Sequence, residues 1–144
     1  MRSLARLQPF ALMLLRLAVG VSMVYNSWQK VYPAEGLGHA YSHHHLLVSF
    51  EHFNGYVVTL HLPRWLGYFS TVTEFFGGLF VIAGLLTRFW AAMIAINMMV
   101  AIAAVTIHHG YAGSQYSIAL VVMALMLVTA GSGSYSLDRR FGIP

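Results

Sequence analysis

Residues 66–107 read LGYFSTVTEFFGGLFVIAGLLTRFWAAMIAINMMVAIAAVTI, two apolar stretches joined at Thr87-Arg88, with Glu74 and Arg88 the only charged side chains in the window. At 1.5 Å of rise per residue, a helix over 66–86 and another over 89–107 each reach across a hydrocarbon layer of ~30 Å. A connection as short as Thr87-Arg88 makes them antiparallel neighbours. Working outward, 116–130 gives a further span after the short link 108–115, and 9–28 gives the first. The reading is an all-α membrane protein, a four-helix transmembrane bundle in one domain covering 1–144, with a long loop over 29–64.

Composition agrees. Of 144 residues, 58% are hydrophobic and 8% charged, with mean hydropathy +0.68, whereas a soluble domain carries about a quarter charged residues. The formal charge of +4 comes from basic residues scattered at segment ends, without a stripe or run, so nucleic acid is not an expected partner. The absence of cysteine excludes a disulfide framework, a thiolate metal site and a CxxC redox pair. The first span follows Arg2 and Arg6 like a secretory signal. Its length, its interruption by Arg16 and the lack of a small-x-small cleavage site make it a retained helix.

Basic residues also set the expected orientation. Arg2, Arg6, Arg88, Arg139 and Arg140 share one side and only Lys30 and Arg64 flank the other, so both termini are expected in the cytoplasm, with the long loop facing the periplasm or cell exterior. Trp28, Tyr32, Trp65 and Tyr111 then fall at the outer boundary, where interfacial aromatics belong. Within the long loop, Leu46, Phe50, Phe53, Val57 and Leu60 recur at helical spacing, as in a helix lying in the interface and capping the bundle.

Ionisable residues at membrane depth turn inward and find partners. Counted from the cytoplasmic helix ends, Arg16 lies roughly 10 Å deep, Asn97 roughly 14 Å and Glu74 roughly 18 Å. The expectation is a buried cluster in which Arg16 pairs with Glu74 and Asn97 adds hydrogen bonds. Helical phase supports inward faces: Arg16, Gly20, Met23, Ser27 and Lys30 on span one; Gly67, Ser70, Thr71, Glu74, Gly77, Gly78 and Val81 on span two; Asn97, Ala101, Ala104 and His108 on span three. Two readings stand side by side. One is a structural ion pair that fixes helix register. The other is a quinone head-group site, with Glu74 and Arg16 in the catalytic role and Asn97, Lys30 and His108 binding the head group; quinone reduction needs two protons inside an apolar pocket, and a buried carboxyl is placed to relay them.

His43, His44 and His45 are consecutive, so on a helix they splay about 100° apart and cannot all reach one metal. A site gathered from His43, His45, His52 and His109 would suit zinc or copper; the plainer reading is a solvated interfacial loop. No histidine falls mid-span, which argues against a haem held deep in the bundle by two of them, and the dispersed methionines read as packing.

Three stretches resemble the DoxX family of small membrane proteins. Leu15-Arg16-Leu17-Ala18-Val19-Gly20 with downstream Gln29-Lys30 is similar to its L-R-L-x-x-G and following lysine. Leu62-Pro63, Glu74-Phe75-Phe76-Gly77-Gly78 and Gly84-Leu85-Leu86-Thr87-Arg88 resemble its P…E-x-x-G-G…G-L-x-T-R, and Gly131 to Asp138 resembles its closing G-x-G-x-x-S-L-D. The resemblance implies a four-helix bundle and a link to oxidoreduction, since relatives are named for thiosulfate:quinone oxidoreductase or associated with complexes handling oxidative or thiol stress. The long histidine-rich first loop departs from the family's usual shorter one and leaves room for a metal or a partner-binding cap. Three functions follow as expectations: a membrane subunit of a quinone-linked oxidoreductase or respiratory electron-transfer system; a non-catalytic accessory subunit packed against a larger oxidase complex; and a metal-handling membrane protein, which with four spans would need to form a homo-oligomer. The sequence has no flavin, haem or iron-sulfur motif, which favours other membrane protein subunits as partners over a self-sufficient enzyme.

Overall fold

The computed structural model describes residues 7–31, 51, 53–104 and 110–142, mostly helical and without a strand among them. Among the described residues, four helices are long and apolar enough to cross a membrane: α1, Gln8–Val31; α2, Trp65–Ala83; α3, Thr87–Ala104; and α4, Gly110–Ala130. A short α5, Leu137–Phe141, follows. α1 packs most extensively on α2 and α3 on α4, while thinner α2–α3 and α1–α4 contacts close the ring. One end of the bundle, the terminal end, holds the start of α1, the α2–α3 turn and α5; the other, the loop end, holds the end of α1 and the starts of α2 and α4.

The core gathers one face from each helix: Val19 and Met23, Val81, Ala91 with Ile94, Ala95 and Met98, and Leu120 with Ala124 and Leu127. Bulky apolar residues point the other way, among them Val72, Phe76, Leu79, Phe89, Val122 and Met126. In water that surface would be an aggregation hazard; against acyl chains it is in its matching solvent. Trp28, Trp65 and Tyr111 are exposed near the loop end. Tyr32 lies outside the described residues.

α1 and α2 run antiparallel and touch backbone to backbone at Gly20 and Gly78. A Cβ at Gly78 would meet Gly20 O at 2.8 Å and Val24 Cγ2 at 2.9 Å, and one at Gly20 would meet Gly78 O at 2.6 Å. Only hydrogen at both positions allows this approach, and within lipid such close packing is a main source of helix association.

Helix ends differ from the expected limits for local reasons. α2 stops at Ala83 because Gly84 takes φ 70°, and the N–H groups of Gly84 and Leu85 fold back onto the carbonyls of Val81 and Phe80. The turn is Gly84-Leu85-Leu86, so Thr87-Arg88, expected as the connection, opens α3. Asp138 caps that start: its carboxylate accepts from Leu86 N at 2.5 Å and Thr87 N at 2.9 Å, while its own N–H donates to Gly84 O at 2.8 Å. α4 begins at Gly110, earlier than residue 116, with Ser114 Oγ donating back to the Gly110 carbonyl at 3.1 Å. Polar Tyr111 to Gln115 dilutes the hydropathy of that turn, which hides it from a reading by composition.

Of the expected interfacial helix, Leu46 and Phe50 lie outside the described residues, whereas 53–59 is helical. Its Asn54 is fully buried against Gly67, where a Cβ would collide with the amide oxygen.

Gly78→Val is expected to lower stability by about 1–3 kcal/mol through overpacking against backbone that cannot yield, whereas Gly55→Ala, with nothing within 4 Å, stays neutral or gains slightly. Denaturant titration of both variants in detergent micelles checks the contrast.

Candidate functional site

Near the loop end, α1, α2 and α3 contribute to one polar cluster. The Glu74 side chain, 2% exposed, projects from α2 into the bundle. Its Oε1 accepts from Lys30 Nζ of α1 at 2.7 Å, Asn97 Nδ2 of α3 at 3.1 Å and, one turn back on α2, Ser70 Oγ at 3.3 Å. Lys30 Nζ lies 4.5 Å from the centroid of the Phe53 ring, a cation–π contact that covers the ammonium from the loop side. Its stem runs along the α1 face that also carries Ser27, whose hydroxyl donates to Thr71 O at 3.3 Å.

Glu74 Oε2 is buried and has no hydrogen-bond partner among the described residues. Glu74 also lines a cavity of about 320 Å³, together with Asn26, Lys30, Met98, Ala101, Tyr116 and Ser117. At its α1–α4 edge Asn26 Nδ2 donates to the Tyr116 hydroxyl at 3.1 Å. This edge is the thinnest seam of the ring.

On the loop side of the cluster, Glu51 holds the 53–59 stretch to the start of α2. It accepts from Tyr68 Oη at 2.7 Å and pairs with Arg64. The Tyr68 hydrogen bond, helped by the Arg64 charge, lowers the Glu51 carboxyl below its ordinary range.

The expected Arg16–Glu74 pair does not form. Arg16 is buried at the terminal end, where its guanidinium donates to Ser132 O at 2.7 Å and Tyr135 O at 2.6 Å and sits against Gly84. From Gly84 to Glu74 is roughly 15 Å along α2, well past the reach of an arginine side chain. Depth counted from each helix's own end presumes level ends, but α1 starts about two turns beyond the end of α2, so Arg16 is shallower than expected. Lys30, assigned to the outer surface, is instead the counter-charge. The buried cluster is therefore Lys-Glu-Asn in place of Arg-Glu-Asn.

Asn97 joins Glu74 directly. His108 falls outside the described residues, as do His43, His45, His52 and His109; among the described residues no group of three His, Asp or Glu is positioned to hold a metal. Reading by sequence missed Asn26, Tyr116, Ser117 and the capping role of Asp138. Asn26 carried a signal, being a polar residue inside an apolar span and one turn before Lys30; Tyr116 looked like any aromatic near a span end.

Four antiparallel membrane-crossing helices around a buried Lys-Glu-Asn cluster define a small multi-pass membrane protein. The sequence pattern of the DoxX family matches residues 11–109, well over half of the chain, and the chain belongs to that family. The match takes in Arg16, Lys30, Glu74 and Asn97, while Tyr116 and the Gly131–Asp138 segment lie beyond it. No curated protein and no solved structure matches the chain.

Lys30→Met alone leaves the Glu74 carboxylate buried without its counter-charge. The expected loss is at or below the lower end of the roughly 3–5 kcal/mol typical of broken buried pairs, because Lys30 keeps 22% of its side chain exposed. Lys30→Met combined with Glu74→Met recovers most of it. Denaturant titration of the single and double variants measures the coupling, and a single variant as stable as the parent denies the pairing.

Proposed function

We propose that this chain is the membrane subunit of a quinone-linked oxidoreductase or respiratory electron-transfer system, and that the Lys30–Glu74–Asn97 cavity receives a quinone head group. The observation carrying this reading is the buried Glu74 carboxylate: its residue lines a cavity, its Oε2 has no partner among the described residues, and an ammonium stands 2.7 Å from its other oxygen. A volume of about 320 Å³ falls at the small end of ligand pockets, the size for a ring and not for a whole lipid. The lining fits such a ring: Met98 and Ala101 offer apolar contact, Lys30 offers a cationic donor and Glu74 an acceptor that can also hold a proton.

A bound quinone supplies a two-electron acceptor that takes up two protons on reduction. Lys30 orients a ring oxygen and favours negative charge on it. Glu74 holds or gives a proton, and Asn97 with Ser70 holds its carboxylate in place through Oε1. Electrons come from a donor or partner subunit outside this chain.

Glu74→Gln keeps the shape and the Asn97 contact but cannot carry the proton. Quinone-dependent turnover by the native membrane assembly is expected to fall by about 10²-fold or more, with the protein still folded and assembled. Unchanged turnover would leave the cluster a structural ion pair and the chain an accessory subunit.

The same reading places both termini in the cytoplasm of a bacterial or archaeal cell, with the protein in the inner membrane. Arg88, Arg139 and Arg140 are all exposed at the terminal end, and Lys30 and Arg64 flank the other. Because the chain has no cysteine, Phe141→Cys is a clean reporter. In spheroplasts it is expected to resist an impermeant maleimide until the membrane is opened; labelling of sealed spheroplasts would reverse the orientation.

A further inference from the structure

We propose that Tyr116, held by Asn26, is a second binding point in the same cavity and makes it specific for a flat ring bearing acceptor oxygens at opposite ends; this rests on the head-group reading above. The polar lining divides into two groups. Lys30 and Glu74 form one, from α1 and α2. Asn26, Tyr116 and Ser117 form the other, from α1 and α4, and the α3 residues Met98 and Ala101 supply the apolar wall.

The Tyr116 hydroxyl accepts from Asn26 Nδ2 at 3.1 Å, which occupies a lone pair and leaves its own proton to be given. No acceptor for that proton stands among the contacts of the described residues. The cavity therefore presents a donor from each group: the Lys30 ammonium and the Tyr116 O–H. A ring with one oxygen answers one of them, whereas a 1,4-dicarbonyl answers both.

Location agrees with this role. Tyr116 is half-exposed on the α1–α4 seam, the thinnest of the ring, while Phe53 covers Lys30 from the loop side. A ring arriving from the bilayer meets Tyr116 first and Lys30 last. The Asn26 contact fixes the rotation of the phenol hydroxyl before the ligand arrives, which lowers the ordering cost of binding.

Isothermal titration of the full chain in micelles, with a short-tailed 1,4-benzoquinone and the matching alkylphenol as probes, tests the proposal. The parent protein is expected to bind the quinone about tenfold or more tightly than the phenol. Tyr116→Phe is expected to lose about five- to tenfold in quinone affinity with phenol affinity unchanged, and Tyr116→His, which keeps a donor, to recover part of the loss. Because Tyr116 is half-exposed, the phenylalanine variant keeps its packing, and an unchanged denaturation midpoint confirms it. If the parent binds quinone and Tyr116→Phe binds it equally well, the second binding point is overturned while the head-group reading stands. If the parent binds no quinone, that reading fails and takes this one with it.

Discussion

A polar group sunk in hydrocarbon finds no water, so each one must be answered by another part of the chain. This constraint organises the bundle around two centres at different heights. Near the loop end, Glu74 is answered by Lys30, Asn97 and Ser70. At the terminal end, Arg16 is answered by the carbonyls of Ser132 and Tyr135, and the amides that open α3 by Asp138. α1, α2, α3 and α5 each have a part in one centre or the other, so the polar residues, although few, tie these elements together in a way that uniform apolar faces cannot.

Between the two centres the packing is set by small residues. The Gly20–Gly78 approach draws α1 tightly onto α2, and α1 then has little surface left for α4. The cavity lies toward that weak seam, bounded by the hydrogen bond from Asn26 to Tyr116. The arrangement that makes the first two helices inseparable thus leaves a lined space beside the buried carboxylate, and the same feature that stabilises the fold makes room for a ligand.

Much of this was legible in the sequence. Hydropathy and length located all four spans, because a bilayer demands both of any helix that crosses it. The inward faces of α1 and α2 were legible from the placement of small and polar residues, and the buried positions of Met23, Ser27, Thr71, Glu74 and Gly78 agree with them. Helical phase says which way a side chain points and nothing of how far one helix slides along the next. That missing coordinate put Arg16 opposite Glu74, when the glycine contact sets a register that brings Lys30 there. Asp138 was visible as part of a motif, but its role depends on a chain reversal that brings residues about fifty apart together, and no local pattern encodes it. Tyr116 was obscured by its resemblance to an interfacial aromatic, a role it shares by position.

The Asp138 contacts bear on the order in which the protein is made. Leu86 and Thr87 leave the ribosome long before Asp138, and their amides have no helical carbonyl of their own to bond. During synthesis the hairpin of α2 and α3 enters the bilayer with its apex uncapped, and stays so until the tail emerges, folds back and closes over it. The apex in the middle of the chain is therefore capped only once the tail has been made.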